Sequence, residues 1–146
     1  MTVALAPLAL PATAKAWPQW LEDRTRTSIE TAQELIATLK DGTRRTAVEV
    51  LDLWNLTDIA LRAADSVTSL FAEVHPDLAL REQAEGHQQE LAKIQTERTQ
   101  DRDLFSVVNA TDPTGLDHDA TRFETVATHH LTLIVQEKTA PEWSRP

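Results

Sequence analysis

The stretch Ala72-Glu73-Val74-His75-Pro76-Asp77-Leu78-Ala79-Leu80 decides how this chain folds. The ring of Pro76 crowds the residue before it and disfavours helical geometry at His75, so a helix arriving from the N-terminal side ends there. Asp77 then offers a side-chain oxygen to the free N–H groups of a new helix and sets negative charge at its positive end. His75, when protonated, suits the negative end of the arriving helix. Two long helices joined by so short a corner run roughly antiparallel.

Upstream of the corner, Thr46-Ala47-Val48-Glu49 is a capping box, in which Thr46 and Glu49 each satisfy a backbone donor of the other. The apolar stripe that follows reads Val50, Leu51, Trp54, Leu61, Ala64, Leu70, Phe71 and Val74. Unbroken to Val74, such a helix is about 42 Å long at 1.5 Å per residue. Asn55, Thr57 and Asp58 fall in its middle and mark either a bend or a polar contact. Before it, Leu21, Thr25, Ile29, Ala32, Ile36 and Leu39 recur at three- and four-residue steps, predicting a helix from about Pro18 to Lys40. Pro18 suits the first turn, Lys40 complements the dipole at the end, and Gly42 supplies the stop.

Downstream of the corner, Leu80, Ala84, His87, Leu91, Ile94, Arg98, Phe105 and Val108 keep a period near 3.5 residues. Arg98 to Asp103 is too charged for a continuous buried seam, so the helix is expected to continue there solvated on most sides, or to kink. Asp112-Pro113 and Gly115 signal a loop. Asp117 can cap a further helix using Leu116, Ala120, Phe123, Ala127, Leu131 and Ile134, after which a polar tail carries Pro141 and Pro146. The fold class expected is all-α with about four helices. Its parts are an extended lead-in over residues 1–16, a helical domain over 17–135 and a loose tail over 136–146. Three glycines and abundant Ala, Leu, Glu, Gln and Arg point the same way.

The formal charge of −9, from 23 acidic against 14 basic residues, repels phosphate backbones and anionic headgroups. Nucleic acid and membrane surfaces are therefore excluded as expected partners. No cysteine is present, which removes disulfides and thiolate metal sites and fits a cytoplasmic location. Val3–Leu10 is apolar and Ala12-Thr13-Ala14 resembles a cleavage site, but no Lys or Arg precedes the run and Pro7 and Pro11 interrupt it. A lead-in strap is the reading, with export as its alternative. No stretch approaches the roughly 20 apolar residues of a membrane span.

Leu51-Asp52-Leu53-Trp54-Asn55, Ala60-Leu61, Ala63–Ser66 and above all Ala72–Asp77 with Arg81-Glu82 resemble the N-terminal helical region of M3-type, thimet oligopeptidase-like zinc peptidases. Asp101-Arg102-Asp103-Leu104-Phe105 fits the same pattern, and the similarity covers roughly Trp17 to Phe123. The resemblance implies an almost wholly helical fold whose first helices wall a channel that admits short peptides. It also implies zinc-dependent hydrolysis by an H-E-x-x-H helix, with two histidines on zinc, a glutamate as general base and a later glutamate as third ligand. From about Thr125 the likeness fades. The chain is thus expected to be the front of such an enzyme, ending before its zinc motif, with a shifted reading frame as one origin of Val126–Pro146.

Candidate chemistry is sparse. His87-Gln88-Gln89-Glu90 comes nearest a zinc motif but has Gln in place of the Glu, and Leu91 where the second His belongs. His129 and His130 point about 100° apart on a helix, and His118 joins them only as an adventitious metal site. Glu82 with Glu85 and Asp101 with Asp103 lie beside Arg81 and Arg102 on helix surfaces, which is the pattern of a solvated face. Trp54 is expected in the core, Trp20 under the first loop and Trp143 exposed. No catalytic, cofactor-binding or metal residue is assigned, and no cofactor is expected in this chain, zinc belonging to the full-length family. Two functions remain: a catalytically incompetent piece of a metallopeptidase, or a stand-alone helical interaction module. In either, apolar helix faces are left to self-associate or to recruit a protein.

Overall fold

The structure, a computed structural model, describes residues 9–112, and these are all-helical, with no strand among them. A single 3-10 turn, Ala14–Ala16, leads into α1 (Trp17–Leu39), followed by α2 (Ala47–Val74), α3 (Leu78–Thr99) and α4 (Arg102–Ala110). The lead-in is therefore coiled rather than extended over its last three residues. The helix expected after Asp117, the tail, Trp143, and His118, His129 and His130 lie outside the described residues.

Local chemistry sets each boundary. Pro18 occupies the first turn of α1, and Gly42 follows its end with φ of 81°, in the region where a side chain is strained. The capping box forms: Thr46 Oγ1 accepts the Glu49 N–H at 3.3 Å, and Thr46 N–H donates to Glu49 Oε2 at 2.8 Å. His75 adopts extended backbone, and Asp77 Oδ1 accepts the Ala79 N–H at 2.9 Å to open α3. Arg81 Nη1 ties the corner from below by donating to the His75 carbonyl at 2.7 Å.

The core has three layers, which also fix the topology. At the corner end Leu21 packs with Phe71, Leu80 and Ala84. In the middle Ile29 and Ala32 meet Ala60, Leu61 and Ala64 of α2 and Leu91 and Ile94 of α3. At the far end Leu39 and Val50 pack with Leu104 and Val108. The start of α1 thus meets the end of α2, and the end of α2 meets the start of α3, giving an up-down-up bundle with α4 closing the far end.

Several expectations need correcting. Of the bend or polar contact expected in the middle of α2, the bend is absent and the contact is present: the helix runs unbroken, Asp58 pairs with Arg98, and buried Thr57 donates to the Leu53 carbonyl at 2.8 Å on its own helix. Leu35, not Ile36, fills the α1 core position. Leu70 and Val74 are 57% and 66% exposed, because Leu70 sits about 100° around the helix from Phe71 and Val74 stands on the last turn at the reversal. The third helix neither continues nor merely kinks: it stops at Thr99, and Asp101 caps a separate α4. Arg98, expected to be solvated, is buried.

Candidate functional site

Arg98 extends the α3 stripe of Ala84, Leu91 and Ile94 by one turn, so the helical repeat carries its side chain inward. A guanidinium there needs partners, since an unpaired buried charge is costly. Two are supplied by α2. Arg98 Nη1 donates to Asp58 Oδ1, and the guanidinium carbon lies 4.0 Å from the centre of the Trp54 ring, a cation–π stack. Its Nε and Nη2 are buried without a hydrogen-bond partner. Trp54 itself is only partly buried, beside the Leu39, Val50, Leu104 and Val108 cluster.

One turn further on, Asp101 has two tasks. Its Oδ1 accepts the N–H groups of Asp103 at 3.0 Å and Leu104 at 3.1 Å, capping α4, and its Oδ2 pairs with Lys40 Nζ at the end of α1. Partial desolvation pushes the Asp101 carboxyl up, but the bonds from Lys40 and the Leu104 N–H outweigh it and hold it below the ordinary aspartate range. The Asp101 hydrogen bond holds Lys40 above its usual value. Between α1 and α3 these residues border a groove of about 470 Å³, floored by Ile36, Ala37 and Ile94 and edged by Gln33, Lys40, Glu97, Arg98 and Asp101.

The opposite end of the bundle is aromatic. Trp17 lies edge-on to Trp20 with centroids 5.4 Å apart, Trp20 stacks on Phe71 at 5.9 Å, and Phe71 stacks on His75 at 5.2 Å. Trp20 Nε1 donates to the Ala9 carbonyl at 2.8 Å, which ties the lead-in to this cluster. Around it Leu10, Leu70, Val74 and Leu78 are 60%, 57%, 66% and 59% exposed.

Among the described residues, those weighed from sequence do not converge. His87 is wedged between α1 and α3, with Nε2 3.1 Å from Glu22 Oε2, off the line of a hydrogen bond, and Nδ1 3.8 Å from Glu90. Glu82 and Glu85 are exposed on α3. Asp101 caps α4 and accepts the Asp103 N–H, and Asp101 borders the groove while Asp103 does not line it. Among the described residues no three His, Cys, Asp or Glu side chains are grouped to hold a metal ion, and no helix is long and apolar enough to cross a membrane. Sequence reasoning marked the polar middle of α2 for a bend or a polar contact, and Asp58 makes that contact; it passed over Lys40 and Arg98 as ion-pair members. The signal for Arg98 was its place in the stripe; the pairings with residues 40 and 61 positions away carried none. No protein-family model, no curated protein and no solved structure matches this chain.

Proposed function

We propose that this chain is a non-catalytic helical docking element, corresponding to the N-terminal helices of an M3-like zinc oligopeptidase, which line the peptide channel and leave hydrolysis to the peptidase body. The observation that carries it is the exposure of Leu70, Val74 and Leu78. Leu70 and Val74 lie one turn apart on α2 and Leu78 opens α3, so large apolar side chains flank the corner on which the family resemblance chiefly rests. Exposed apolar side chains grouped in this way support a surface that meets another protein. The 146 residues contain no H-E-x-x-H, so zinc and the water it activates belong to the partner in this reading.

Complementation tests it. An M3-type oligopeptidase lacking its first helices, inactive on a short fluorogenic peptide, should bind this chain and regain zinc-dependent cleavage. Leu70→Asp with Val74→Asp should abolish both without unfolding the bundle. Failure of the wild-type chain to bind that body by sedimentation would refute the assignment.

A second reading, a free-standing interaction module, has its own support. Side-chain caps on α2, α3 and α4 and three buried core layers within α1 to α4 support a self-contained unit. Light scattering separates the two: a discrete, well-folded homodimer favours the module, whereas a monomer that binds only the peptidase body favours the first reading.

A further inference from the structure

Two of the three core layers are made only of α1, α2 and α3. The short helix α4 takes part in one, through Leu104 and Val108, which cover Leu39 and Val50 beside Leu53 and Trp54. Nine residues are too few to hold a helix in water on their own, so α4 persists through that contact and through its cap. The cap is not local. Asp101 divides its carboxylate between the first N–H groups of α4 and the ammonium of Lys40, 61 residues earlier at the end of α1. One carboxylate therefore both starts α4 and fastens it to the bundle.

We propose that α4 is a releasable cover over the Leu39–Val50 face, latched by Asp101 on Lys40, and that opening the latch frees α4 while α1 to α3 stay folded. Release uncovers Leu39, Val50 and Trp54 next to the α1–α3 groove, whose edge Lys40 and Asp101 also form. The charged groups that face the latch are Lys40 from α1, Glu97 and Arg98 from α3 along the groove, and Asp103 on α4 itself. Arg98 is held by Asp58, which leaves Lys40 as the cation bonded to Asp101. Neutralising the carboxylate removes the ion pair and weakens the cap together; neutralising the lysine removes only the pair.

Hydrogen exchange read by mass spectrometry on the full chain tests this. Lys40→Met and Asp101→Asn, which keeps a capping oxygen, should each speed exchange of the 102–110 amides by about tenfold and leave the α2 and α3 core amides unchanged. Asp101→Ala should exceed both. Acidification below the ordinary aspartate range should speed the same amides in the wild type, after correction for intrinsic rates, and have a smaller effect on them in Asp101→Asn, where only Asp41, Glu49 and the other remaining carboxylates titrate. Unchanged exchange in both Lys40→Met and Asp101→Asn overturns the latch. Equal acceleration across all four helices overturns the cover, because α4 would then open only with the whole bundle.

Discussion

The two ends of this bundle are held by different physics. The corner end is apolar and aromatic, with Trp17, Trp20, Leu21, Phe71 and Leu80 in mutual contact. The far end combines a small apolar layer with the Arg98–Asp58 and Lys40–Asp101 pairs. Apolar burial has no ion pair for salt to screen and changes little at moderate ionic strength, whereas ion pairs weaken with screening and with protonation of the carboxylate. The contrast teaches that one end sets stability and the other can be tuned.

Phe71→Ala should give the largest effect, a loss of about 3–4 kcal/mol in urea unfolding, because it empties the centre of the aromatic layer. That loss should be the same at low and high salt. A strong salt dependence at Phe71 would erase the distinction between the ends. Asp58→Ala comes next at about 2 kcal/mol, since it leaves the Arg98 guanidinium buried and unpaired; the partial exposure of Asp58 keeps it below the cost of a fully buried pair. Arg98→Met should cost less than Asp58→Ala, as it removes the charge with its partner's need for it. The reverse order would mean that the Trp54 stack, not the ion pair, holds α3 in place.

Acid should loosen the far end first. Hydrogen bonds from Arg45 hold the exposed Asp41 carboxyl below its usual range; those from the Thr46 backbone and hydroxyl do the same for Glu49. Asp101 is lowered as well, and all three carboxylates sit at the end where α1 stops, α2 begins and α4 is capped. A carboxyl depressed in the folded state lends stability above its unfolded value and loses it as pH falls through the folded one. Stability should therefore be flat down to about pH 5 and fall below about pH 4. In that window, amides near Val50 and Leu104 should lose protection before those near Phe71 and Leu80, as exchange would record. The smallest change, Gly86→Ala on the exposed face of α3, meets no atom within 4 Å and should stabilise by about 0.5–1 kcal/mol at either salt concentration.

How much of this was legible follows from the range of each interaction. The helix boundaries at Thr46, His75 and Asp77 depend on neighbours within four residues, and the sequence carries them openly. The stripes gave most of the core of α1 and α3, since a helical repeat is a local property. Charge density at Arg98–Asp103 misled, because it does not reveal that Asp58 and Trp54 wait on another helix to receive the guanidinium. Leu70 and Val74 misled in the opposite sense: hydrophobicity does not by itself place a residue in the core, and both are exposed near the corner. The far-end pairs join residues 40 and 61 positions apart, and no periodic signal spans such a distance.

At the middle of the bundle, Ala32 meets Ala60 and Ala64, each at most 4% exposed, with fully buried Thr25, Thr57 and Thr68 on the same two helices. Short side chains at a helix crossing favour close approach, and buried positions of this kind tolerate little added volume. A larger side chain at Ala32, Ala60 or Ala64 would act as a wedge between α1 and α2, since all three are buried where the helices meet.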